Sequence, residues 1–459
     1  MAPSYTSTAA AQAKQHTLKK PKGSTNDITA NPNLTPGVIG KSPLMLFASD
    51  VWLFFTLVIP KIYNVFLPLR SFGSIFQDIT PTGLLFQVFL TVYSLVLLIP
   101  LGLLGILVGG ITPFAVASAL LFPFQWIQGD TIVHVPVNRS TLRGQALASV
   151  QKRAKTKTGR DRSSSTNTAN EYPNTFNNHA WFFINGISTS RSGIVTDLRF
   201  LEKIFQRPIT GIFNRTAGPI LDVFECVIQR DFSYYTRDIR NGYVELRAAL
   251  EADNTKKVVL LCHSQGGIIA SLIVDLLLST ISRSLLDKLE VYTFADASNH
   301  FNNPLNAVGQ PTIRYVEHFA NGKDPISQFG VLLFTTEDQK KGLSYRKSVK
   351  GTCSILHFDD NQFKIATNNR LDDLLVSTAL TSESGKDGTT LSTIEPRSQV
   401  NILSAAGQVF SGRLFARWQN SGHLLINHYL GPDNNIMDTP EVRQYSRLYQ
   451  YLNGRSPSE

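Results

Sequence analysis

Between Lys256 and Leu278 the chain reads KKVVLLCHSQGGIIASLIVDLLL, and no other stretch leaves so few folds open. Val258–Leu261 is a short apolar run with charge before it and glycines after it, the pattern of a buried strand. After Gly266 and Gly267 a second apolar run is long enough for a helix. The residues between, Cys262 to Gly267, must make a sharp strand-to-helix turn with Ser264 at its apex. Such a turn lifts the serine hydroxyl above the sheet edge, where a base and a carbonyl can both reach it. Glycines follow because the turn crowds backbone against backbone.

The surrounding sequence repeats the alternation of strand and helix. His179–Ile187, Ile209–Asn214, Leu289–Phe294, Thr312–Phe319 and Gly412–Trp418 read as strands. Helices are expected over Asp197–Phe205, over GPILDVFECVIQR, and where Ile239, Tyr243, Leu246 and Leu250 share one face. Alternation of this kind predicts a mostly parallel sheet with helices on both faces, an α/β fold, over 178–459. Residues from about 335 to 410 are polar and irregular apart from Leu371–Leu380, and read as an insertion.

Strand, turn with serine, and helix together resemble the nucleophile elbow of the α/β-hydrolase superfamily, and HSQGG resembles its lipase-like serine esterases. The family pattern is G-x-S-x-G, and Cys262 stands where the first glycine usually is, a small residue that preserves close packing. The resemblance covers residues 178–430. It implies an acid and then a histidine, each on a loop beyond a later strand. Asp324, before Pro325 in the loop after Thr312–Phe319, is the favoured acid, with Asp296 in FADASNHF as the alternative. His423, just past the last strand, is the favoured base, with His428 as the alternative and His263 as a residue that shapes the turn. The oxyanion donors implied are the backbone N–H of Gln265 and one from Gly186 or Ile187, in the loop where relatives often carry His-Gly and this chain has Asn185–Gly186. Asn185 serves either there or in bracing the loop by side-chain bonds.

The N-terminal third is different chemistry. Ile79–Gly129 contains 51 residues without one Asp, Glu, Lys, Arg or His. Leu84–Val108 alone exceeds the ~20 residues that cross a bilayer, and Gly109–Gly110 is placed to bend a helical hairpin over 84–127. Leu44–Leu69 is also apolar but is interrupted by Asp50 and Lys61, so it either spans or lies in the interface. Residues 1–43 read as a disordered tail, 44–130 as membrane-associated helices, and 131–177 as a flexible linker with eight basic residues from Arg139 to Arg162. Basic flanks on both sides predict two spans, with the catalytic domain facing the cytosol, on an endomembrane.

The net charge of +10 belongs to this region. Residues 1–180 hold 15 Lys and Arg against 6 Asp and Glu, leaving 29 and 28 for the rest. A nucleic-acid-binding domain carries its charge on the folded module, so a lipid surface is the expected partner and nucleic acid is not. Three cysteines, Cys226, Cys262 and Cys353, are no disulfide framework, and no spacing suggests a metal or cofactor. The expected activity is hydrolysis of an apolar ester, lipid or specialised metabolite, through an acyl-enzyme. Acyl transfer on the same residues, or a catalytically silent lipid-binding or tethering role, are the alternatives.

Overall fold

A computed structural model describes residues 42–108, 120, 123–124, 126–135, 178–305, 310–333, 354–357, 410–432 and 434–457. Its centre is the strand β4 (Lys257–His263). Val258, Leu260 and Cys262 point into one apolar core and Val259 and Leu261 into another. That period of two is what a strand buried on both faces requires.

Around β4 lie β1 (Ile132–His134), β2 (His179–Ile184), β3 (Thr210–Ile212), β5 (Leu289–Phe294), β6 (Tyr315–Asn321), β7 (Ser354–His357) and β8 (Arg413–Arg417). They form one eight-stranded sheet in the order β1-β3-β2-β4-β5-β6-β8-β7. The inner strands are parallel, and β1 and β7 close the two edges antiparallel. This is an α/β architecture, a mostly parallel mixed sheet with helices.

The helices sort by their apolar faces. We label them α1 (Pro43–Leu53), α2 (Pro81–Val108), α3 (Arg191–Phe205), α4 (Pro219–Phe232), α5 (Arg237–Glu251) and α6 (Gln265–Thr280). α6 follows β4 and is buried almost all round, as its unbroken apolar sequence demands. α5 buries Ile239, Leu246 and Leu250 on the same side of the sheet as α6. α3, with Ile194, Leu198, Leu201 and Phe205, covers the other side beside Tyr429, Leu448 and Tyr451 from the chain's end.

Two segments depart from the sequence reading. Ile132–His134, assigned to the flexible linker, is the edge strand β1, because Val133 and Val135 are buried there and Ile132 packs on the opposite core. Ser354–His357, assigned to the irregular insertion, pairs with β8 as β7. The tail before Ser42, the linker from 136 to 177, the Gly109–Gly110 bend and Leu371–Leu380 lie outside the described residues.

Among the described residues one helical stretch, Pro43–Lys61, is long and apolar enough to cross a membrane, with 19 residues and a mean hydropathy of 1.7. It comprises α1, a wider π-helical turn over Phe54–Val58 and a tighter 3₁₀ turn over Ile59–Lys61. This is the segment whose two charges left it open between spanning and lying flat. Both charges reach the α/β domain: Asp50 pairs with Arg230 of α4 at 2.9 Å, and Lys61 Nζ donates to Gln328 at 2.9 Å. Phe47 packs between the rings of Phe224 and Phe232, also on α4.

Candidate functional site

Ser264 sits between β4 and α6 with φ 58° and ψ −122°, a conformation that ordinary L-residues avoid. Such a residue costs about 1–3 kcal/mol and persists only where its surroundings dictate it. Its backbone is held on three sides. Ser264 N–H donates to Phe294 O, and Ser264 O accepts from Gly267 N–H and Ala297 N–H. The turn closes because Gly266 lies against the Ile184 carbonyl and Gly267 against the Asp296 side chain, where a Cβ would collide. Cys262 fills its place at the end of β4 fully buried, with its thiol against Tyr292 O, and burial pushes that thiol's pKa up.

The acid and base meet across the C-terminal edge of the sheet. Asp324 follows β6 and caps the short helix Pro325–Phe329, with Oδ1 accepting from Ile326 N–H at 2.9 Å, as Asp before a helix-starting proline does. Its Oδ2 accepts from His423 Nδ1 at 3.0 Å, from Ser327 Oγ at 2.9 Å and from Tyr429 OH at 3.0 Å. With Nδ1 donating to the carboxylate, His423 Nε2 carries the lone pair, the tautomer a general base needs. The His423 ring lies 4.7 Å from the His263 ring, centre to centre, and His263 immediately precedes Ser264. Ser264 Oγ and His423 Nε2 are not hydrogen-bonded to each other in the described structure, a looseness common in unliganded catalytic sites. The three residues are 3%, 0% and 6% exposed for Ser264, Asp324 and His423, so the site is nearly covered.

The alternative residues have other partners. Asp296 follows β5 and accepts from Ser298 N–H at 2.8 Å, while its Oδ2 lies 3.2 Å from His318 Nδ1 on β6. It faces neither His423 nor His428. His428 accepts from Leu424 N–H at Nδ1 and donates from Nε2 to Pro68 O. Both nitrogens are thus engaged in bracing the turn below His423, and burial lowers its pKa. His263 donates from Nε2 to His423 O at 2.8 Å, and burial beside His423 pushes its pKa down to about 3, so it is a neutral prop.

On the opposite side of Ser264 lies Gly186. A Cβ there would stand 2.7 Å from Ser264 Cβ, so only glycine allows the loop to approach. The N–H groups of Gly186, Ile187 and Gln265 have no acceptor among the described residues. Gln265 opens α6, where the helix dipole adds partial positive charge. Asn185 braces the loop: Nδ2 donates to Gly186 O and Asn214 O, each at 2.9 Å, and Oδ1 accepts from Asn214 N–H at 3.0 Å. Asn214 then donates to Gln265 Oε1, and Gln265 Nε2 donates to Gln229 Oε1 at 3.0 Å. One buried amide chain therefore ties both candidate oxyanion loops together. Asp222 adds a second tie, accepting from Ser188 N–H and Thr216 Oγ1, and burial raises its pKa to about 6.

The sequence reading did not anticipate what lies over the histidine loop. Val65 O accepts from His423 N–H at 3.0 Å. Asp78 accepts from the backbone of Ile426 and Asn427 and from Asn427 Nδ2, and burial outweighs these bonds to raise its pKa to about 6. The segment from Lys61 to Asp78 is thus part of the site. Nothing in its sequence signals this, because its partners lie some 350 residues away in the chain. Among the described residues no cluster of three or more His, Cys, Asp or Glu is placed to hold a metal.

Compared with known proteins, the chain matches no family model, no curated protein and no solved structure.

Proposed function

We propose that this chain is a membrane-associated serine hydrolase of the α/β-hydrolase type that cleaves an apolar ester through an acyl-enzyme. The observation that carries the reading is a strained serine on a strand–helix turn, flanked by a histidine whose Nδ1 is bonded to a buried aspartate. Ser264 Oγ attacks the ester carbonyl while His423 Nε2 takes its proton. Asp324 stabilises the imidazolium and holds the ring in place. The negative charge on the carbonyl oxygen is met by Gln265 N–H and by Gly186 or Ile187 N–H, each donor worth about 3–4 kcal/mol in the barrier. His423 returns the proton to the leaving alkoxide, and the alcohol departs. Water, deprotonated by the same nitrogen, then releases the acid and restores Ser264. An alcohol in place of water gives acyl transfer by the same steps.

The domain is read as facing the cytosol on an endomembrane, from the basic sequence around the apolar region. One observation favours the silent lipid-binding reading, the near-complete cover over Ser264. A fluorophosphonate probe separates the two. Labelling in mild detergent that maps to Ser264 and vanishes in Ser264→Ala supports the enzyme. A folded, unlabelled protein supports the binding role.

A further inference from the structure

The N-terminal helices leave apolar faces bare. On α2 the buried residues include Gln87, Leu90 and Ser94, with Leu90 against Gly218, while Leu85, Val88 and Val92 on the outer face are exposed, Leu85 by 71%. On α1 the buried residue is Asp50, and Trp52 is 70% exposed. A helix on a water-facing surface does the reverse. Both helices pack against α4, and α4 also exposes apolar residues, Ile220 and Phe224. The outward apolar surface therefore runs continuously from added helices onto a helix of the α/β domain itself. Soluble monomers rarely leave such a patch bare.

The chain also leaves and returns at one point. Gln87 Nε2 donates to Thr216 Oγ1 at 3.2 Å, and Gln128 binds the backbone N–H and C=O of the same Thr216. Just beyond that foot, Phe89 and Tyr93 on the outgoing arm meet Phe124 on the returning one. The two described ends of the uncharged stretch from 79 to 129 are thus pinned to the same spot. Trp126, on the returning arm beside the foot, is exposed like Trp52.

We propose that α1, α4 and the base of α2 form a single platform on which the folded domain lies flat in the interface of a lipid bilayer. This rests on, and sharpens, the membrane association proposed above: the domain does not hang from a stalk but is itself partly seated in lipid. A bilayer is favoured over a protein partner on three grounds. The face continues into 51 uncharged residues, far more apolar chain than a protein interface uses. Tryptophans mark its rim as they mark membrane interfaces. The sequence after the returning arm is strongly basic, complementary to anionic headgroups. The platform also adjoins the site, since Asp222 joins Thr216, where the two ends meet, to Ser188 beside the oxyanion loop. Esters dissolved in the bilayer are then the substrates nearest the serine.

The test uses the full chain in phosphatidylcholine vesicles brominated near the headgroup or near the chain ends, with tryptophan fluorescence as readout. Shallow bromines should quench the wild type, and Trp52→Phe with Trp126→Phe should remove most of that quenching, since of the other two tryptophans Trp181 is buried and Trp418 is half-buried against the α/β core. In that background Phe224→Trp should restore shallow quenching, and Asn254→Trp, in the turn at the opposite edge of the sheet, should not. A Phe224→Trp signal unaffected by bromines, on vesicle-bound protein, overturns the platform. So does a concentration-dependent dimer in detergent that shields Trp52, which would assign the face to a second copy. Fluorophosphonate labelling in detergent is scored separately. Quenching without labelling removes the enzyme and keeps the platform, and labelling without quenching does the opposite.

Discussion

Asp78→Asn isolates what the N-terminal segment contributes to the site. In the wild type Asp78 Oδ1 accepts from Ile426 N–H, and Oδ2 accepts from Asn427 N–H and Asn427 Nδ2. A carboxamide has one acceptor oxygen, so the best orientation keeps the two bonds at the Oδ2 position and turns an NH₂ toward Ile426 N–H. Leaving that donor unmatched costs about 1–3 kcal/mol. Against this, the carboxylate is ionised at a cost, because its pKa is raised from 3.8 to about 6. At pH 7.5 that shift of roughly two units corresponds to at most about 3 kcal/mol, which the neutral amide avoids. The terms nearly cancel, so thermal stability should stay within about 2 kcal/mol of wild type. Function should not be spared. The Leu425–Leu430 turn is the far side of the loop that carries His423, and displacements of about 1 Å in a catalytic group cost up to ~100-fold. The assay pairs the rate of fluorophosphonate labelling with the unfolding midpoint at pH 7.5. A labelling rate equal to wild type in a stably folded variant would falsify the positioning role. A loss of more than about 4 kcal/mol would show that the buried charge was not costly after all.

Three further outcomes follow from the same geometry. Asp324→Asn should reduce ester turnover by about 10⁴-fold with the fold intact, because the amide can no longer fix the His423 tautomer, whereas Asp296→Asn should leave most turnover; the reverse order in kcat would move the acid to β5. Asn214→Ala should strand the buried Gln265 Oε1 at a cost of about 1–3 kcal/mol, and lower kcat more than KM, since it loosens one oxyanion loop from the other; a change in KM alone would count against that link. Acid should weaken the fold through His263. Its pKa is about 3 folded against 6.5 free, so between those values the unfolded chain binds a proton that the folded one refuses. Stability is lost as pH falls through that window, by at most about 1.4 kcal/mol per pH unit. His428, lowered in the same direction, adds to this, while Asp78 and Asp222, each raised to about 6, gain stability as pH falls from 6 toward 3.8 and oppose it. His263→Gln keeps a donor for His423 O and should unfold with a shallower pH dependence between 6 and 4 in denaturant titrations; an unchanged slope would mean His263 is protonated in the folded state.

Local chemistry, which a sequence carries openly, determined the inner strands and the Ser264 turn, while the pairing of Asp324 with His423, 99 residues apart, was legible only through the family resemblance. Apolar period, a glycine-rich turn, an Asp-Pro helix start and a loop histidine each act within a few residues of chain. Even Cys262, the departure from the expected glycine, is explained by local size. What only the tertiary structure decided is how distant segments complete the site. Asp50 and Lys61 look in the sequence like interruptions of a membrane helix, yet they are the contacts that lay it on the domain. Asp78, Val65 and Asn214 have no motif, because their roles consist of hydrogen bonds to backbone or amides far away in sequence. The bare apolar face of α2 was invisible for a related reason. Which face of an apolar helix meets protein and which is left bare depends on the partner surface, and no single helix encodes that.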